Sequence, residues 1–272
     1  MGDGFLSIFK TKALVLKTQD YKENDKLVWL FTEKIGKVCA IAKGAKKSKS
    51  KFIASTQTFC FGEYVLYRGK SLYSINEVEI IDSFQSLLSD MDTITYGSYF
   101  CELILIALEQ EQSDRELFKD FIKSFYFLKN QAMDLEILAR TFELKLLKAT
   151  GYGFDFEKCC ICGKRINKTN YLSIQYYGGV CDSCEKTGGF KISYAAYGVL
   201  KFLYKTSIEN AHIISVSNEI KEEVYKVLDM FISQSYSKKP KSLEIFNYLK
   251  RSEYNEWYYS REDWHIKRKN WS

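Results

Sequence analysis

Leu27-Val28-Trp29-Leu30-Phe31, a turn at Gly36, and then Val38-Cys39-Ala40-Ile41-Ala42 decide how this chain begins to fold. Two short runs rich in aliphatic and aromatic residues, punctuated by a glycine, read as strands joined by a turn. Toward the N-terminus, Ala13-Leu14-Val15-Leu16 reads as an earlier strand. Toward the C-terminus, a lysine-rich loop precedes Phe59 to Tyr67, a turn at Arg68-Gly69-Lys70, and Leu72 to Ile81. Five strands within residues 1–82, with the break between the third and fourth, predict a small closed β-barrel of the OB type. An SH3-like barrel satisfies the same strand count.

From Ser83 the period changes from that of strands to that of helices. Tyr96, Tyr99, Phe100, Leu103, Ile104 and Ala107 recur at helical spacing, and so do Leu117, Phe118, Phe121, Ile122 and Phe125. A third stretch places Leu135, Leu138, Phe142 and Leu146 on one face, and Gly151 ends it as a helix C-cap does. Such stripes are the core of a bundle rather than a cofactor box. The expected organisation is α+β: an OB barrel over 1–82, a first helical part over 83–154, a cysteine segment over 155–190, and a second helical part over 191–250. In that second part helices are expected near Tyr194–Tyr204, Glu219–Gln234 and Ser242–Leu249. An aromatic and basic tail over 251–272 follows, with Trp257, Trp264 and Trp271 spaced to form one helical stripe. That stripe is expected to dock on the helical body.

Composition fits a folded protein of several small domains: 272 residues, 46% hydrophobic, one proline. The longest apolar run, Leu103 to Leu108, is bracketed by Glu102 and Glu109 and is far too short to span a bilayer. Met1-Gly2-Asp3-Gly4-Phe5 lacks the marks of a signal peptide. Eight cysteines in a chain this long do not make a secreted disulfide scaffold, and Cys39, Cys60 and Cys101 sit singly in apolar runs as buried thiols do. A cytoplasmic location is expected. Charge is segregated: residues 1–70 carry +8, residues 71–158 carry −8, and residues 159–272 carry +6. A basic head on an acidic middle points to a polyanion-binding module on a scaffold.

Cys159-Cys160-Ile161-Cys162-Gly163 and Cys181-Asp182-Ser183-Cys184 each supply a CxxC knuckle, with 18 residues between them. That spacing closes two knuckles on one tetrahedral zinc ion, with Cys159, Cys162, Cys181 and Cys184 as ligands. Four thiolates leave no open position for an activated water, so one structural Zn2+ per chain is expected. Gly163 permits the tight backbone of the first knuckle, and Gly178-Gly179 offers a turn before the second. Cys160 is left out because only one residue separates it from Cys162.

Between the third and fourth strands, Lys43-Gly44-Ala45-Lys46-Lys47-Ser48-Lys49-Ser50-Lys51 offers mobile positive points on a barrel whose whole segment is basic. Phosphate contact needs no more than this, and it reads no base sequence. Lys37, Lys43, Lys46, Lys47, Lys49, Lys51, Arg68 and Lys70 are therefore the candidate nucleic-acid-binding residues, set against the plainer reading of a solubilising loop. Catalysis finds no support. Gly69-Lys70-Ser71 imitates the end of a phosphate-binding loop, but Tyr64 stands where its first glycine belongs. A DNA ligase would need a lysine before Asp-Gly, and the one Asp-Gly, Asp3-Gly4, follows Gly2. Only His212 and His265 are present, with no zinc-protease or nucleophile-elbow motif around them.

Lys12-Ala13-Leu14-Val15-Leu16-Lys17-Thr18, Phe31-Thr32-Glu33-Lys34-Ile35-Gly36-Lys37 and Ala42-Lys43-Gly44-Ala45-Lys46-Lys47-Ser48 resemble the opening of the bacterial RecO family. Phe142-Glu143-Leu144-Lys145-Leu146-Leu147 with Gly151-Tyr152 resembles its central helix, and Cys162-Gly163 with Gly178-Gly179-Val180-Cys181 resembles its zinc segment. The resemblance, over roughly residues 10–250, implies an N-terminal OB fold, a helical body and recombinational repair. It implies binding of single- and double-stranded DNA, annealing of complementary strands, and loading of the RecA recombinase on strands coated with single-strand-binding protein. The implied partners are RecR and the acidic C-terminal tail of that single-strand-binding protein. Some relatives lack the zinc cysteines, which makes the metal a support for folding. The alternative is a zinc-containing OB-fold adaptor that binds RNA or acts in transcription.

Overall fold

The structure, a computed structural model, describes residues 8–238 and 240–242. Its first part is a closed barrel of β1 (Ile8–Tyr21), β2 (Asp25–Thr32), β3 (Gly36–Ala42), β4 (Phe61–Arg68) and β5 (Tyr73–Asp82). Round the ring the order is β1-β2-β3-β5-β4. A meander would pair β3 with β4. Here β4 pairs with β1, and β3 meets β5 in parallel at Ala40–Tyr73 and Ile41–Ser74. That crossing is the OB arrangement, and it removes the SH3-like alternative. β1 runs well past the expected four residues because it must pair with both β2 and β4, shifting register between Val15 and Lys17.

Alternation along β1 and β2 assigns their two faces. Ala13, Val15, Val28 and Leu30 point into the barrel with Tyr64 and Leu66, while Leu14, Leu16 and Phe31 join the helical core on the other side. The run Ala13–Leu16 is therefore continuously apolar because both of its faces are covered. Phe59, expected to open the fourth strand, precedes it with φ of +74°, and its N–H donates to the Val15 carbonyl at 2.9 Å.

Three helices follow: α1 (Met91–Ala107), α2 (Arg115–Asn130) and α3 (Leu135–Ala149). Asp90, Asp114 and Asp134 cap them, accepting from the backbone N–H groups of Thr93, Leu117 and Ile137. Part of the acidic surplus of the middle segment is therefore helix-start chemistry, a carboxylate set against free N–H groups. Phe31 packs edge-on against Phe118 and Phe121, and Phe59 lies against Phe125, so α2 lays its aromatic stripe on the barrel wall. α3 is buried on nearly every side and holds an ion pair within the core, Arg140 to Glu143 at 2.6 Å, with the Tyr99 hydroxyl also donating to Glu143. Gly151, with φ of +89°, follows the C-cap as the sequence predicts.

The link from α1 to α2 joins the barrel edge. Gln110 bridges Lys37, the Glu111 N–H donates to the Lys37 carbonyl at 2.9 Å, and Glu111 takes Arg68 and the Tyr73 hydroxyl. A Cβ at Gly36 would lie 2.0 Å from the Gln112 carbonyl oxygen, so this turn demands glycine for contact as well as for its φ of +71°. α4 (Tyr194–Lys205) and α5 (Asn218–Ser235) complete the helical body and pack on α3. The tail and the helix expected over Ser242–Leu249 lie outside the described residues, apart from Ser242. Among the described residues no helix is long and apolar enough to cross a membrane.

Candidate metal centre and nucleic-acid interface

A three-stranded sheet between α3 and α4, in the order β7-β6-β8, holds the second pair of cysteines: β6 (Tyr171–Ser173), β7 (Gly178–Gly179) and β8 (Gly189–Lys191). The first pair sits on a hairpin. Lys158 bridges Arg165, the Cys159 N–H donates to the Lys164 carbonyl at 2.8 Å, and the Ile166 N–H donates to the Glu157 carbonyl at 2.9 Å. Gly163, with φ of +72°, closes the knuckle. Gly178 and Gly179 serve differently from the expected turn, since they are β7 itself. A Cβ on Gly179 would sit 2.7 Å from both Ile166 and Thr169, so the glycine is required by close packing between the two knuckles.

The Sγ atoms of Cys159, Cys162, Cys181 and Cys184 all lie within 4.8 Å of one another, and those of Cys162 and Cys181 are 3.8 Å apart. Zinc–thiolate bonds of about 2.3 Å in a tetrahedron give a sulfur–sulfur edge of about 3.8 Å, so the donor set fits that ion. The Cys181 N–H donates to the Cys159 sulfur at 3.3 Å. Burial pushes the Cys159 thiol up, but N–H groups of Cys162, Cys181 and Ile161 outweigh it and bring it down to about 6. Hydrogen bonding to the sulfurs of Cys162 and Cys181 pushes Cys184 up to about 12. A dication held by four thiolates would displace the proton that Cys184 keeps. Cys160 stands behind the knuckle, its N–H on the Gly179 carbonyl and its Cβ against Gly178.

The eight basic candidates divide by environment. Lys43, Lys47 and Lys49 are exposed and in no ion pair among the described residues, as is Lys70 in the turn after β4. Lys46 is exposed but pairs with Asp20 at 2.9 Å, and the Lys51 ammonium stands 5.1 Å from the Phe52 ring centre. Arg68 is engaged by Glu111 at 2.8 Å. Lys37 must be withdrawn: it is buried, and its ammonium donates to the Leu105 carbonyl at 2.7 Å, where no phosphate reaches it. Its register explains this, because Lys37 faces Phe31 across β2 and β3 on the wall covered by helices.

One feature of the barrel escaped the sequence reading. Trp29 lies on the outer wall of the barrel, partly buried against the helical core, opposite Lys17 on one side and Cys39 on the other, with the Lys17 ammonium 5.3 Å from its ring. Alternation within Leu27–Phe31 would have shown it, since Val28 and Leu30 take the interior.

Comparison with known proteins agrees with this architecture. The family model described as recombination protein O N terminal matches residues 6–84, and that described as recombination protein O C terminal matches residues 88–244. A DNA repair protein RecO from Clostridium novyi (strain NT) is 99% identical over 256 residues, covering 94% of this chain and 100% of that protein. The DNA repair protein RecO of Clostridium kluyveri is 55% identical over 92% of this chain and 97% of its own length. That of Clostridium acetobutylicum is 50% identical over 90% and 99%.

Proposed function

Because this chain belongs to the RecO family of DNA repair proteins, we propose that it is a recombination mediator: a binding protein for single- and double-stranded DNA that anneals complementary strands. It helps load the RecA recombinase on strands coated with single-strand-binding protein, together with RecR and through the acidic C-terminal tail of the coating protein. Its work is binding rather than catalysis, and it takes place in the cytoplasm beside the nucleoid, where thiols stay reduced. The observation that carries this reading is a family match over both halves of a chain whose barrel presents lysines at 43, 47 and 49 that are in no ion pair among the described residues.

These lysines hang from the loop that links β3 to β4. Such a loop suits a nucleic-acid strand, with ammonium groups on phosphates. The candidate DNA contacts are accordingly Lys43, Lys46, Lys47, Lys49, Lys51 and Lys70, with Arg68 at the margin. The four cysteines hold Zn2+, which supplies cross-links between two knuckles and no chemistry. Annealing of complementary strands pre-coated with single-strand-binding protein tests the reading. Acceleration at stoichiometric protein is expected, and no acceleration, with complementary RNA annealed instead, would give the role to an RNA adaptor.

A further inference from the structure

Away from the barrel, the zinc hairpin and α4 build a second basic surface. Tyr194, Gly198, Lys201 and Lys205 recur at the spacing that puts them on one face of α4. The hairpin lies along this face. At one end the Lys168 ammonium stands 5.1 Å from the Tyr194 ring centre, and at the other Glu157 is bracketed by Lys201, at 3.1 Å, and Lys205. One step nearer the knuckle tip than Glu157, Lys158 and Arg165 face each other across the hairpin bridge, both exposed.

Two like charges directly opposite one another oppose pairing, and a sequence ordinarily sets a carboxylate between them. Among the described residues neither Lys158, Arg165 nor Lys168 is in an ion pair. The two acids nearby are already used: Glu157 by the α4 lysines, and Asp155 by the N–H groups of Glu157 and Lys158. Among the described residues the strip therefore carries an excess of positive charge. It also carries an aromatic surface. Tyr194 is 50% exposed, and its i+4 neighbour on α4 is Gly198, where a Cβ would meet nothing within 4 Å. The ring keeps an exposed side beside the one that Lys168 approaches.

We propose that this strip is a second contact for a DNA single strand, distinct from the lysine loop, with Lys158, Arg165 and Lys168 on successive phosphates and Tyr194 stacked on a base. The inference rests on the DNA-binding reading above and extends it, since a protein that joins two complementary strands needs somewhere to hold each. The barrel meets the helical body through α1 and α2, whereas the strip belongs to the hairpin and α4, so the two contacts can be filled independently.

The test is the salt dependence of binding to a labelled oligodeoxythymidylate, measured by fluorescence anisotropy on the zinc-loaded full chain. Four proteins are compared: wild type, Lys47→Ala/Lys49→Ala, Lys158→Ala/Arg165→Ala/Lys168→Ala, and the combination. Each lost phosphate contact lowers the log–log slope by about 0.7. The strip variant is expected to lose about 2 units of slope on that basis, and the combination to lose the sum of both. Tyr194→Ala weakens binding at constant slope, and Tyr194→Phe restores it. If the loop variant's slope falls while the strip variant's does not, the strip is overturned and the DNA reading stands. If wild-type protein shows no salt-dependent binding at all, both fall. Because Arg165 adjoins a knuckle, Lys168→Gln alone is measured in parallel, and an unchanged slope there with zinc retained counts against the strip.

Discussion

The ammonium of Lys37, on β3, donates to the carbonyl of Leu105 at 2.7 Å, in the last turn of α1. It satisfies one of the four carbonyls that a helix C-terminus leaves without a partner, and it places a cation at the negative end of the helix. Burial lowers the pKa of this lysine, with Glu109 opposing. Lys37→Ala strands the carbonyl, and a cost of about 1–3 kcal/mol is expected. The melting temperature should fall while the salt slope of DNA binding stays unchanged. A flattened slope in a folded variant would return Lys37 to the phosphate-binding set.

Loop lysines should divide in solution as they do in space. Lys47→Ala/Lys49→Ala is expected to flatten the single-strand salt slope by about 1.4 units, at about 0.7 per contact, and to weaken all base sequences alike. Lys46→Ala, whose ammonium already holds Asp20, should change the slope less. Equal slopes for wild type and the double variant would make this a solubilising loop.

One zinc ion per chain is expected by elemental analysis. Cys162→Ser/Cys181→Ser should abolish it, since removal of two ligands takes away most of a binding free energy that reaches roughly 10–16 kcal/mol in zinc peptides. Hydrogen exchange should show lost protection at the knuckles, with Cys159, Gly163 and Cys184 N–H groups exchanging first. Metal-free wild-type protein with full protection there would refute the assignment.

Burial pushes the Glu143 carboxyl up from 4.5 to about 7, with Arg140 and Tyr99 working against that rise. A raised carboxyl pKa means that the folded chain keeps a proton the unfolded chain has already lost. This contribution to stability is therefore greatest below pH 4.5 and declines as pH rises to about 7. Glu143→Gln should remove the decline in urea titrations across that range. Arg140→Met, which leaves the carboxyl without its partner, is expected to cost about 3–5 kcal/mol, and Arg140→Met/Glu143→Leu to recover much of that loss. An Arg140→Met variant as stable as wild type would show that the pair is not coupled.

The barrel was legible because its strands are punctuated where chemistry requires it, at Gly36 and in the Arg68–Lys70 turn. Strand count alone left its order open between OB and SH3-like, because pairing between β1 and β4 joins residues with no sequence signal in common. The cysteine ligands could be read from spacing alone, whereas the role of Gly179 could not, since what excludes a side chain there is Ile166 and Thr169 from another turn of the chain. Lys37 misled for a related reason. It sits near the start of a lysine-rich stretch, and only the register against Phe31 shows that it turns inward. Charge composition reports how many cations a segment has, and packing decides which of them face water.

The zinc segment is fastened to the helical body by aromatic rings as well as by its cysteines. Phe154 stacks on Phe156 and meets Phe231 of α5, Tyr177 packs on the same Phe231, and the Tyr197 hydroxyl of α4 donates to the Phe156 carbonyl. None of these contacts involves a ligand sulfur. Evolution can consequently treat anchor and clasp as separate characters. A lineage short of zinc could exchange the four cysteines for apolar residues at the knuckles while the ring seam kept the segment in its place. The reverse order, losing the rings and keeping the metal, would leave a well-formed knuckle tied to α4 mainly through the Glu157 pairs with Lys201 and Lys205.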